Sequence, residues 1–209
     1  MYEILKREEL NFKTTRIEIA APFVARHAEP GQFIILRVTE DGERIPLTIS
    51  DFDRERGTVT VIFQTIGATT EKLNHVMEGQ SLADVAGPLG NATETDGLKK
   101  VAVVGGGVGC AIAYPIAKKL HNLGAEVHLI VGFRDKENVI LEDEYKEACT
   151  NLVLMTDDGS YGKKGMTTEG LQELIDQGHQ FDEVIAIGPL VMMKFVCLLT
   201  KKYNIKTIV

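Results

Sequence analysis

Between two lysine pairs, Lys99-Lys100 and Lys118-Lys119, residues 101–117 carry no charge, and this stretch holds Gly105, Gly106, Gly107 and Gly109. Its length touches the lower limit for a membrane-spanning helix. Four glycines this close together would wreck a lone helix, and Pro115 lies further on. A buried strand over 101–104, a glycine turn and a helix over 108–123 account for the stretch better. No membrane span is expected.

The pattern repeats from there on. Apolar runs at 126–131, 152–156 and 184–187 are each followed by a helical period, at 141–149, 168–177 and 190–203. Such alternation predicts a doubly wound parallel sheet. In the first helix Ile112, Ile116, Leu120 and Leu123 recur on one face. The residues before it read differently. Thr15, Ile17 and Ile19 alternate with Arg16 and Glu18, and Val59, Val61 and Phe63 alternate with Thr58, Thr60 and Ile62. Turn residues (Glu29-Pro30-Gly31, Asp41-Gly42 and 54–57) separate these runs from strands at 32–38 and before Ser50. With a single short helix over 69–76, the first half is expected to be an antiparallel β-barrel or sandwich. The boundary is placed at 91–97, giving domains 1–97 and 98–209. Residues 206–209 read as the opening of another strand, so the chain is expected to continue beyond Val209.

Composition narrows the chemistry. The chain has 209 residues, a net charge of −7 and a sequence pI near 5.3. Without a basic cluster it is a poor partner for nucleic acid. The N-terminus, MYEILKREEL, lacks the apolar segment of a secretory signal. Cys110, Cys149 and Cys197 are odd in number and far apart, which fits reduced thiols in a cytoplasmic protein rather than a disulfide framework. His27, His75, His121, His128 and His179 are scattered, so no metal site is expected. Ser160 has no G-x-S-x-G context for hydrolysis. The run Glu142-Asp143-Glu144 reads as a solvated helix face.

The glycine loop carries the sharpest chemical signal. It lets a pyrophosphate approach the backbone, and the helix after it offers N–H groups to negative charge. Gly105 and Gly107 match the first two glycines of G-x-G-x-x-G, and Cys110 stands in the third place. The flanking strand and helix supply the context that makes the match meaningful; a tight ligand-free turn is the plainer alternative. The next strand ends at Gly132-Phe133-Arg134-Asp135. Asp135 suits the ribose hydroxyls of NAD and Arg134 suits a 2′-phosphate, so NAD and NADP both stay open. Asp157 and Asp158 follow the third strand of this half, and Gly188-Pro189, with Met192 and Met193, follows the fourth. Pro189 is expected at the first helical position.

Together these segments resemble the ferredoxin–NADP reductase superfamily, an FAD-binding β-barrel followed by a pyridine-nucleotide domain. The resemblance spans the whole chain. It rests on Pro30-Gly31-Gln32-Phe33, Arg44-Ile45-Pro46-Leu47-Thr48-Ile49-Ser50, Gly67-Ala68-Thr69-Thr70, Gly87-Pro88-Leu89-Gly90, the glycine loop, and Gly188-Pro189 with Met192-Met193. Within it, two subunits look most similar. One is the small subunit of NADH-dependent reduced ferredoxin:NADP oxidoreductase, also called a sulfide dehydrogenase subunit. The other is the electron-transfer subunit of dihydroorotate dehydrogenase. Residues 43–48 and 187–196 lean to the first.

The resemblance implies roles. Arg44 would meet the FAD pyrophosphate, and Pro46, Leu47, Thr48, Ile49 and Ser50 would run along the isoalloxazine and ribityl. Gln64 would lie at the flavin edge. Gly67, Thr69 and Thr70 would hold the pyrophosphate, with Gly87, Pro88 and Gly90 also in the flavin site. Gly105, Gly106, Gly107, Val108 and Gly109 would hold the NAD(P)H pyrophosphate, with Arg134, Asp157, Asp158, Gly188, Pro189 and Met192 completing that site. The implied reaction is hydride transfer between nicotinamide and flavin, carried by the cofactors with no catalytic side chain. Single electrons would then pass to a larger partner flavoprotein or to ferredoxin.

The chain departs from the family pattern twice. Many relatives carry cysteine before the Gly-Pro pair, where this chain has Ile187. Both related subunits also carry a four-cysteine [2Fe–2S] module after this point. A cluster needs four placed thiolates, so one is expected only in a longer form with further cysteines. Two rival readings stand beside the electron-transfer enzyme: a nucleotide-binding module without flavin, and a structural piece that docks a partner.

Overall fold

Ile17 and Ile19 in one early strand, and Val59, Val61 and Phe63 in another, turn every second side chain inward. In the computed structural model, which describes residues 2–209, the chain divides after Thr93 into two compact units.

The first unit is an antiparallel sheet of seven strands: β1 (Tyr2–Glu9), β2 (Thr14–Ala20), β3 (Phe33–Arg37), β4 (Arg44–Asp53), β5 (Thr58–Gln64), β6 (Ser81–Leu82) and β7 (Asp84–Leu89). Their order is β6-β1-β2-β5-β4-β3-β7. The two outermost strands are joined through Ala83 alone, so the chain carries one edge of the sheet onto the other and the barrel nearly closes. Ile17, Ile19, Val59, Val61 and Phe63 fill its interior. Two short helices plug it, α1 (Pro22–His27) and α2 (Ala68–Asn74). Leu73 of α2 has no exposed surface and packs into the barrel core. Leu73→Ala should cost about 2–5 kcal/mol, the usual range for emptying such a site. Urea unfolding followed by circular dichroism measures it.

The second unit alternates as the sequence reading expects: β8 (Lys100–Gly106), α3 (Gly109–Asn122), β9 (Glu126–Phe133), α4 (Glu142–Glu147), β10 (Asn151–Thr156), β11 (Lys163–Lys164), α5 (Thr167–Asp176), β12 (Glu183–Ile187), α6 (Leu190–Lys202) and β13 (Lys206–Ile208). The strands pair in parallel in the order β11-β10-β9-β8-β12-β13. Val101, Ala102, Val103 and Val104 are all fully buried, as a strand covered on both faces requires.

Two details of the expected helices change. On α3, Ile116 and Leu120 are buried, but Ile112 is half-buried and Leu123 is exposed at the C-cap. Buried Ala113 and Ala117 take their place, because small residues let the helix sit close on the sheet. Pro189 is the N-cap of α6 rather than its first residue, with φ −57° and ψ 140°. Among the described residues no helix is long and apolar enough to cross a membrane.

Candidate functional site

The order of the parallel sheet sets where a ligand can bind. Chain order runs outward from β8 through β9 to β10 on one side and jumps to β12 on the other. Between β8 and β12 the connections diverge to opposite faces, leaving a crevice beyond the strands' carboxyl ends. The glycine loop lies at that point. Gly107 adopts φ +57°, a conformation that favours glycine, and its N–H bonds the carbonyl of Gly132 at 2.9 Å. Gly109 opens α3 under the end of β12: a Cβ there would lie 2.5 Å from the Ile187 carbonyl oxygen and 2.8 Å from the Gly188 Cα. The loop after β8 and the loop after β12 therefore touch backbone to backbone.

A cavity of about 260 Å³ opens on this junction. Gly106, Gly107, Arg134, Asp157, Pro189 and Met192, all singled out in the sequence, line it. Gly132, Phe133, Met166 and Thr167 line it as well, and sequence reading missed them. All four sit at the carboxyl end of a strand or the start of the next helix, so the switch-point rule would have found them. Arg134 is exposed, and its guanidinium makes no ion pair or side-chain hydrogen bond among the described residues. It is a free cation at the cavity wall. Asp135 is not available in the same way, because its carboxylate accepts from the Asn138 backbone and side chain at 3.1 and 2.7 Å. Asp158 is turned to its own loop, where bonds from Ser160 hold its carboxyl below the usual range.

Cys110, in the place of the third glycine, packs directly against Gly105. A Cβ on Gly105 would lie 2.8 Å from the Cys110 Cα, so helix and strand are in close contact there. Cys110 is fully buried, and burial pushes its thiol up to about 12. Burial also pushes the Cys149 thiol up to about 11. Thiolate is the reactive form, so neither should react with a disulfide reagent at pH 8 in the folded protein. Cys197, half-buried on α6, should be the one that reacts. Counting released thiolate with and without denaturant checks this.

The first unit gathers its own set of residues. β3 lies between β4 and β7, with Phe33 in register with both Thr48 and Leu89. This draws the run from Pro46 to Ser50 beside Gly87, Pro88 and Gly90, and Gln32 Nε2 donates to the Gly90 carbonyl at 2.9 Å. Pro46 is exposed and Leu47 and Thr48 are half-buried, whereas Ile49 and Ser50 are buried, Ile49 in the barrel core. Gln64 ends β5. The start of β4 meets α2 through Thr69, whose hydroxyl donates to Glu43 at 2.7 Å. Arg44 is thereby placed near the first turn of that helix. Its guanidinium reaches Asp84 at 3.5 Å and is more than half exposed. Thr70 closes the turn, accepting from the backbone of Ile66 and Gly67 at 3.1 and 3.0 Å.

No family model matches the chain. It is 46% identical to an uncharacterized protein in the adh 3′ region of Clostridium beijerinckii, over all of this chain and 73% of that one. It is 40% identical to the dihydroorotate dehydrogenase B (NAD(+)) electron transfer subunit homolog of Thermotoga maritima, over 97% of this chain and 71% of that one. The chain belongs to this electron-transfer subunit family. Its fold is that of the ferredoxin–NADP reductase superfamily. A solved chain of the NADH-dependent reduced ferredoxin–NADP oxidoreductase superposes with a TM-score of 0.92 at 38% identity, covering 99% of this chain and 74% of that chain. Both proteins named by the sequence resemblance are therefore represented among the matches, and membership places the chain among redox proteins with an oxidoreductase fold.

Proposed function

We propose that the chain is a flavin-dependent electron-transfer subunit that binds FAD in its barrel unit and NAD(H) or NADP(H) in its parallel-sheet unit. The observation that carries this is the switch-point cavity, where a glycine loop, a helix N-terminus and a free arginine meet on one face. That combination fits the phosphates of a dinucleotide: backbone N–H groups and positive charge converge where no side chain blocks approach. When both cofactors are bound, they supply the chemistry, a hydride passing between reduced nicotinamide and flavin.

The residues do the holding. Gly106, Gly107, Val108 and the first turn of α3 face the pyrophosphate. Arg134 takes a phosphate or stacks on the adenine. Gly188, Pro189 and Met192 border the nicotinamide, with Asp157 at the cavity rim. In the barrel unit Arg44, Gly67, Thr69 and Thr70 hold the FAD pyrophosphate. For Thr69 this means exchanging Glu43 for phosphate. The segments 46–50 and 87–90, with Gln64, flank the flavin. Ile49 and Ser50 are buried, so they shape the wall of that site.

The three cysteines do not fit a [2Fe–2S] cluster. They lie on α3, after α4 and on α6, two of them buried, and four thiolates are needed. In our reading the electrons go to a partner, a larger flavoprotein subunit or ferredoxin. The Thermotoga maritima relative is named as one subunit of a dehydrogenase, which supports the first. Reconstitution tests the proposal: chain refolded with FAD should hold one flavin after desalting. A colourless protein that still binds nucleotide would favour the flavin-free module, and one that binds neither would favour a docking piece.

A further inference from the structure

At the opposite end of the parallel sheet, far along β9 from the cavity, three metal-ligating side chains converge. Glu126 and His128 open β9, and His179 lies in the segment between α5 and β12. Their spacing in sequence gave no hint of this, because His179 is brought in by the crossover through α5. His128 Nε2 stands 2.9 Å from Glu126 Oε1, and His179 Nδ1 stands 4.0 Å from the same oxygen. All three ligand atoms lie within 4.8 Å of one another. Two ligands each about 2.1 Å from a tetrahedral ion are about 3.4 Å apart, so small side-chain rotations would close this set on one ion.

We propose that Glu126, His128 and His179 bind a divalent transition-metal ion of the zinc class, a second site unrelated to the cofactors. Two imidazoles and one carboxylate suit that class and not the oxygen-seeking calcium or magnesium. His128 is buried, and its other ring nitrogen meets the Asn151 side-chain amide at 3.2 Å. With that amide turned over, its oxygen accepts from Nδ1, the outer partner that metal-bound histidines usually have. Phe181 backs both rings, at 5.4 Å from His128 and 6.2 Å from His179. Glu126 and His179 remain partly exposed, so the site has an entry path and room for water as a fourth ligand. The bound ion would tie the start of β9 to the α5–β12 connection.

One residue opposes the ion. Lys100 Nζ pairs with Glu126 Oε1 at 2.9 Å, where it neutralises the carboxylate. Metal entry must displace it, which yields a test that a chance cluster would fail. Chain stripped with a chelator is titrated with Zn²⁺ by calorimetry. The wild type should bind one ion per chain. His179→Ala and Glu126→Gln should each weaken binding at least about tenfold, the lower edge of what losing even an outer partner costs. Lys100→Met should tighten it. No saturable binding, or equal binding in both ligand variants, would overturn the site, as would weaker binding in Lys100→Met.

Discussion

Gly109→Ala should weaken NADH and NADPH binding by about 10- to 100-fold while leaving the flavin content unchanged. The added methyl meets backbone, the Ile187 carbonyl at 2.5 Å and the Gly188 Cα at 2.8 Å, and backbone cannot swing aside as a side-chain end can. Overpacking of this kind costs about 1–3 kcal/mol. Here the strain falls on the junction of the two loops that form the nucleotide cavity. The barrel has its own core, from Ile4 to Val85, and does not depend on that junction. Nucleotide affinity and bound flavin, measured on the same preparation, separate this outcome from general misfolding. If Gly109→Ala binds nucleotide like the wild type, the cavity is not the site.

Arg44→Ala should release the flavin. A charge-assisted hydrogen bond contributes about 1.5–3 kcal/mol, so FAD affinity should fall roughly 10- to 150-fold. The fold should barely notice. Arg44 is exposed, and its pair with Asp84 is long and solvated, a type worth about 0–1 kcal/mol. Melting of the flavin-free variant should therefore match that of the flavin-free wild type. Unchanged FAD affinity would remove Arg44 from the site. An equally large loss of melting temperature would make it a structural residue instead.

The parallel-sheet unit was the more legible half. Its strands are uninterrupted apolar runs, its helices have a clear period, and glycines mark the turn between. The barrel was harder to read at its edges. β1 carries five charged residues among eight and buries only Ile4, so alternation is invisible there. α1 has no long apolar stripe. Pro22 at its start and the buried pair Val24 and Ala25 were the available signal. β6 and β7 are recognisable only once the barrel closes around them. In the site, sequence reading found the glycines because backbone conformation demands them. It left Arg134 and Asp135 as equals, and only the capping bonds of Asp135 tell them apart. It separated His128 from His179, which tertiary crossover brings to 4.4 Å between ring centroids.

The most direct measurement is an oxygen-free titration of the FAD-loaded chain with NADH and, separately, NADPH, followed by visible absorbance. The proposed function predicts that about one equivalent of at least one nucleotide bleaches the flavin band. A flavin that stays yellow with both nucleotides yet bleaches with dithionite would contradict it.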